Sequence, residues 1–492
     1  MRVVIIGAGL GGLSAACHLA GAGHQVTVVE REALPGGRAG VARQNGFTFD
    51  TGPSVLTMPD ILRAAFAATD TDMDTALDLQ PVDPMYRATF PDQAPVHLRR
   101  GQQAMEAEIR EVCGPGDAAQ FSPFCEWLTE LYRIEMPSFI DRNFDSMIDM
   151  VNPARPMVDL FRAGGMNKLI NKVNGFFNDE RLRRLFSFQA LYAGMSPFDA
   201  LAIYGVITYM DSVGGVYFPR GGMHEIPTTL AAAAEKVGTE FVYSTSVLQI
   251  LRKTDGSVRG VGLDNGRSLQ ADVVVANPDL GVVYRDLLGT VKPPRVVTKG
   301  EYSPSCLVWH AGVKGDLPAD AAHHNIAFGG QWDEAFEALI QTGRPMPDPS
   351  ILITAPTKSD PSMAPAGCHN LFVLEPVPNL DGTIDWDREG AALRDRLRGR
   401  VESLGFPVEA VTELWVDPPA WKQMGHERGT PFSLSHKFLQ TGPFRPNNID
   451  KRIPGLVFVG STTVPGVGVP MVLISGKLAA QRVQKIQDAS GQ

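Results

Sequence analysis

The amino-acid sequence predicts an α/β fold, and three observations carry that reading. The first thirty residues read as a buried parallel strand, a glycine turn, a helix and a second buried strand that ends in an acid. Apolar strands of the same kind return far down the chain, as Val273-Val274-Val275-Ala276 and Leu456-Val457-Phe458-Val459. Amphipathic helical patterns and a mixed strand-and-helix region separate these returns.

The opening unit is Arg2-Val3-Val4-Ile5-Ile6, then Gly7-Ala8-Gly9-Leu10-Gly11-Gly12, an Ala/Leu-rich helix to Ala22, and Gln25-Val26-Thr27-Val28-Val29-Glu30. Gly7 permits the tight turn out of the strand. Gly9 has no Cβ, so a pyrophosphate can approach the backbone. Gly12 lets the helix pack close to the sheet. The helix N-terminus offers free N–H groups and the positive end of its dipole to phosphates. Glu30 falls at the spacing where a carboxylate accepts hydrogen bonds from a ribose. The unit is therefore a dinucleotide site. The apolar start is not expected to be a leader peptide, since glycines break it and it runs straight into the second strand.

Arg31 and Glu32 follow, then Pro35-Gly36-Gly37-Arg38-Ala39. This second glycine pair and guanidinium fork lie a few residues past the ribose acid, and a nicotinamide enzyme has no evident use for them. Phe47-Thr48-Phe49-Asp50-Thr51-Gly52-Pro53 comes next. The ordering resembles the flavoprotein family of monoamine oxidases, protoporphyrinogen oxidases and carotenoid desaturases. The resemblance implies FAD as cofactor, with Arg31, Gly36, Gly37 and Arg38 near it. It also implies that Gly52 and Pro53 lead toward flavin and substrate.

At 492 residues, two domains are the natural expectation. A formal charge of -9 argues against a broad nucleic-acid surface. The five cysteines are scattered without a CxxC, which argues against a disulfide framework or structural zinc and fits a reducing cytosol. His323 and His324 read as loop or surface residues. Residues 453–476 carry no charge and are long enough to span a bilayer, but three prolines and five glycines interrupt them. They parse as a strand, a Gly/Pro loop and a helix from about Val472.

The organisation expected is a Rossmann-like FAD-binding domain with a discontinuous mixed α+β substrate domain and a helical insert. The cofactor domain takes residues 1–84, 216–294 and 441–492, the helical/substrate and membrane-facing insert 85–215, and the substrate domain 295–440. Helices are predicted over 105–112 and 118–133. The second visit holds Tyr217-Phe218-Pro219-Arg220-Gly221-Gly222-Met223, a helix, and a strand over 241–251 with Val247 as its cofactor contact. Asp264-Asn265-Gly266-Arg267 is a hairpin turn. Between Met136 and Lys172, Met and Phe are concentrated among Arg142, Arg155, Arg162, Lys168 and Lys172. Such a stripe reads as core or as a membrane-docking surface.

The last visit reads Gly460-Ser461-Thr462-Thr463-Val464-Pro465-Gly466-Val467-Gly468-Val469-Pro470-Met471-Val472. It closely resembles the C-terminal flavin signature of bacterial-type phytoene desaturases, which show Thr-His-Pro-Gly and then Pro-Gly. Here Val464 replaces the His and Met471 the second Gly, so neither residue type is indispensable if the family chemistry holds. The resemblance spans the whole chain and places Gly460, Pro470, Met471 and Val472 at the flavin. A helix starting there aims its dipole at the electron-rich edge of the ring.

The resemblance implies an FAD-dependent desaturase that converts CH2–CH2 units of phytoene toward lycopene or a less desaturated carotene. One hydrogen leaves as hydride to flavin N5 and one as a proton. Oxygen and membrane quinones both stay open as electron acceptors. A carotene has no polar handle, which fits an apolar tunnel and the shortage of catalytic dyads. Asp149, among Met147, Ile148 and Met150, is the sequence's candidate for a desolvated acid or base. The expected location is cytoplasmic, peripheral on the inner face of the cell membrane. Two alternatives are an amine or protoporphyrinogen oxidase and a non-catalytic isoprenoid binder like the Rab GDP-dissociation inhibitors. The first would want an aromatic cage and often a C-terminal cysteine, but the last cysteine is Cys368. The second would have no use for intact flavin glycines.

Overall fold

A computed structural model describes residues 1–490, and the side chains of Met147 and Ser490 are outside the description. Its centre is a five-stranded parallel sheet ordered Leu456–Phe458, Val273–Ala276, Arg2–Ile6, Gln25–Val29 and Glu240–Val242. Three separated stretches of chain thus build one sheet. The inner strands are buried on both faces, as a parallel sheet covered on both sides requires. The helices Leu10–Gly21 and Val469–Ser490 cross against this sheet in close contact. A Cβ on Gly476 would lie 2.6 Å from Ala15 N, and Ser14 Oγ donates to Leu473 O at 2.7 Å.

A seven-stranded mixed sheet forms the second layer. Its order is Ala410–Val416, Ser305–Lys314, Cys368–Val377, Ile351–Thr354, His324–Ala327, Tyr86–Phe90 and Gln93–Leu98. The last two strands belong to the segment 85–215, whose first residues are a hairpin of this sheet. The alternation Tyr86, Ala88, Phe90 inward and Arg87, Thr89 half-buried is a strand period that the neighbouring helical pattern masked. The helices Gln102–Val112 and Pro115–Glu135 then follow.

Three expectations change. The single strand over 241–251 is two strands in different sheets, Glu240–Val242 and Val247–Arg252, broken where Ser244 takes φ 50°. The C-terminal helix begins at Val469, so Pro470 occupies its first turn, where a missing N–H does no harm. His323 and His324 are buried, not surface residues; burial holds His323 down at about 3, and both rings stay neutral. Among the described residues no helix is long and apolar enough to cross a membrane, and no group of three or more metal-ligating side chains forms.

Candidate flavin and substrate site

The carboxyl ends of the central strands open on one cavity of about 1670 Å³. A single small-ligand pocket is about 300–1,000 Å³, so this space suits a dinucleotide and a long apolar molecule together. Gly7, at φ 95°, turns the chain out of the first strand. A Cβ on Gly12 would stand 2.2 Å from Gly7 O, so this position sits beneath the cavity and holds the helix against the turn. Gly9, Leu10 and Gly11 line the cavity where the helix starts, and their first-turn N–H groups have no intrahelical partner.

Asn277, at the exit of Val273–Ala276, supplies a reason for these glycines that the sequence did not reveal. A Cβ on Gly9 would lie 2.8 Å from Asn277 Nδ2, and one on Gly460 would lie 2.9 Å from Asn277 Oδ1. The amide therefore wedges between the first glycine turn and the C-terminal loop. Glu30 is buried at the cavity wall. Its Oε2 accepts from Ala8 N–H at 2.6 Å and its Oε1 from Glu32 N–H at 2.9 Å. The carboxylate so braces the glycine turn and still has lone pairs for a ribose.

Gly36 N–H donates to Ala8 O at 2.9 Å, and Gly37 takes φ 56° beside Gly9. The second glycine pair thereby lies on the first. Arg38 Nη2 pairs with Asp279 Oδ1 at 2.8 Å and Nη1 donates to Ser461 Oγ at 2.9 Å, while buried Nε has no partner. Burial pushes Asp279 up, but Arg38, then His426, outweighs it and keeps the carboxyl ionised below its usual range. Arg38 so ties all three visits of the chain together. Arg31 also lines the cavity, and its Nη2 donates to Met424 O at 2.8 Å. Gly52 passes under Arg38: a Cβ there would meet Arg38 O at 1.7 Å. Gly52, Pro53 and Val247 all face the cavity. Asp50 accepts from the N–H groups of Met223 and His224 at the turn before the helix Glu225–Lys236; burial outweighs those bonds and raises it to about 6.

The C-terminal loop closes the same wall with Gly460, Pro470, Met471 and Val472. Gly466, at φ 139°, lies against His436, where a Cβ would be 2.1 Å from the ring. Buried Arg445 holds the loop from behind, donating to Ser461 O at 2.6 Å, Thr463 O at 3.1 Å and Leu434 O at 3.2 Å. Burial lowers it to about 10, which leaves it cationic at neutral pH. Asn277, His436 and Arg445 carry no local signature and could be found only in three dimensions.

The rest of the cavity is apolar, lined by residues such as Phe188, Leu191, Ile207, Met210, Phe328 and Leu352. Asp149 corrects the sequence's choice of acid or base. It is half-exposed, and its Oδ2 accepts from Asp145 and Ser146 N–H groups at 2.7 and 2.8 Å as the capping residue of a short turn. Those two bonds hold its pKa below the ordinary carboxylate value. It is absent from the cavity wall, where Glu135 and Asp211 are buried carboxyls besides Glu30 and Asp279. The residue types of the cradle fit a flavin dinucleotide. Glycines stand where Cβ atoms would clash, a helix start faces the cavity, the Glu30 carboxylate keeps free lone pairs, and Arg38 Nε is unpartnered.

The family model of flavin containing amine oxidoreductases matches residues 10–484. The chain is 47% identical to a phytoene dehydrogenase of Streptomyces griseus, over 98% of this chain and 95% of that protein. It is 36% identical to a zeta-carotene-forming phytoene desaturase of Myxococcus xanthus, over 100% and 95%. A lycopene-forming phytoene desaturase of Paracoccus is 33% identical, over 97% and 96%. Solved structures share the fold: an oxidoreductase from Methanosarcina mazei at TM-score 0.62 and 17% identity, covering 99% of this chain and 100% of that one, and a putrescine oxidase at 0.61 and 14%, covering 98% of each. The chain belongs to the flavin-containing amine oxidoreductases and, within them, to the bacterial phytoene desaturases. It is a flavin oxidoreductase acting on CH–CH groups.

Proposed function

We propose that the chain binds FAD non-covalently and desaturates phytoene toward lycopene or a less desaturated carotene. The observation that carries this reading is one continuous cavity whose glycine-lined end joins an apolar end large enough for an isoprenoid. When bound, the flavin supplies a two-electron acceptor for a hydride. The protein's own part is to hold and to exclude. Glu30 would take the ribose, the turns of Gly7, Gly9, Gly36 and Gly37 the pyrophosphate, and the helix start at Val469 the ring edge. The apolar wall excludes water and lets a polyene slide without a polar anchor. The allylic cation that develops is delocalised, so no strong electrophile is needed.

The substrate's solubility points to a membrane partner. Ile148, Val151, Val158 and Phe161 are exposed together, with Phe161 59% accessible. Val151 and Phe161 also line the cavity, beside Met150 and Met157. Arg155 and Arg162 project from the helix Arg155–Arg162 between them. An apolar mouth flanked by two exposed arginines, which share Asp159, suits peripheral docking on an anionic leaflet, with the inner face of the cell membrane as its place. The acceptor that reoxidises the flavin is oxygen or a quinone from that membrane.

The experiment is phytoene in liposomes with purified, FAD-loaded protein, followed by the product's absorption spectrum. New polyene bands are the expected result. Unchanged phytoene with oxygen and with quinone would overturn the reading.

A further inference from the structure

Glu135 ends the long helix Pro115–Glu135, where the chain widens into the π-helical turn Met136–Ile140. Its side chain is buried and lines the cavity with Phe139 and Ile140 from that turn. Among the described residues its carboxyl has no hydrogen bond and no ion pair, and Oε1 is fully buried without a partner. Such a group is costly to bury. The adjacent Met136 packs with Met471 and Ile474 of the C-terminal helix, which sets this helix end against the flavin side of the cavity. The other buried carboxyls on the wall are partnered: Glu30 accepts from two backbone N–H groups, Asp279 pairs with Arg38, and Asp211 accepts from Ser212 Oγ at 2.8 Å and Gln189 Nε2 at 3.4 Å.

We infer that Glu135 is the catalytic base of the desaturation, taking the proton from one methylene carbon of the carotene. This rests on the desaturase reading above. The C–H bond of the neighbouring carbon breaks with its electron pair leaving as hydride, and the bound flavin is thereby reduced by two electrons. The second C–H bond breaks, its pair becomes the new C=C bond, and the proton forms an O–H bond on Glu135. Burial alone raises the carboxyl well above its ordinary value, so its ionised form is a strong base in a dry site. No fixed cation answers it. The titratable groups around it are Tyr204, which feels both Glu135 and Arg445, the stacked Tyr132 and Tyr209, the Asp141–Lys477 pair, and Asp211. None is a free cation at neutral pH.

The test is anaerobic single turnover of the FAD-loaded protein with phytoene liposomes, read as bleaching of the flavin's visible band. The parent rate should rise with pH as Glu135 ionises. Glu135→Gln matches the neutral carboxyl in size, so it should keep the parent's FAD content and bound phytoene. Its reduction rate should fall by about 10²-fold or more and lose the pH dependence. Glu135→Asp should recover part of the rate. Reduction by Glu135→Gln at the parent's rate, a surviving pH dependence, or loss of FAD alongside the rate would each overturn the assignment. A parent that is never reduced by phytoene overturns the desaturase reading, and this inference with it.

Discussion

Replacing Glu30 separates its two tasks, bracing the glycine turn and holding a ribose. In the protein its carboxylate accepts from Ala8 N–H at 2.6 Å in a buried setting and from Glu32 N–H at 2.9 Å nearer solvent. Glu30→Ala leaves the Ala8 N–H buried and unsatisfied, which costs about 1–3 kcal/mol. Glu32 N–H can turn to water and adds less. The apoprotein should therefore be destabilised by roughly 2–4 kcal/mol. Loss of a charged hydrogen bond to ribose removes a further ~1–3 kcal/mol from FAD binding, a rise in Kd of about 5- to 150-fold. Glu30→Gln should fall between, because only one of its two polar atoms can accept from an N–H. The assay pairs thermal unfolding of apoprotein with FAD titration by fluorescence quenching. A lower unfolding temperature with unchanged FAD affinity would show that Glu30 is purely a brace and that the ribose lies elsewhere. Unchanged stability would refute the bracing role.

Three further outcomes follow from the same geometry. Gly12→Ala must push the backbone oxygen of Gly7 from 2.2 Å, so it should destabilise by about 1–3 kcal/mol and yield protein poor in flavin; normal flavin content after purification would contradict the close packing. Burial raises Asp211 from 3.8 to about 7, so the native state binds the extra proton between those values. This contribution is full below pH 4 and lost as pH rises through 7, with about 4 kcal/mol at stake; the gap in unfolding temperature between Asp211→Asn and parent should shift in the variant's favour from pH 5 to pH 8, and a constant gap would refute it. Neutralising Arg155, Arg162 and Lys168 together should weaken sedimentation with anionic liposomes, as high salt does, while FAD content holds, at about 1 kcal/mol per cation; equal pelleting would move the docking surface elsewhere.

What the sequence by itself determined is local. The glycine turn, the acid ending the second strand, the second glycine pair and the Asn265-Gly266 turn are legible because each depends on a few neighbouring residues and one backbone conformation. The chain's return to the sheet at 273–276 and 456–458 was legible from apolar runs flanked by glycine. What the tertiary structure alone decided is burial and partnership between distant residues. Asp149 looked apolar in its surroundings, yet its carboxylate is satisfied by its own turn. Glu135 follows Tyr132-Arg133-Ile134 and reads like any acid on an exposed helix end, but elements 70 and more than 300 residues away bury it. Asn277, His436 and Arg445 are likewise ordinary in the sequence and act through contacts with loops far along the chain. The physical reason is that a backbone turn is set by torsions within a few residues, whereas desolvation of a side chain is set by whatever the rest of the fold lays over it.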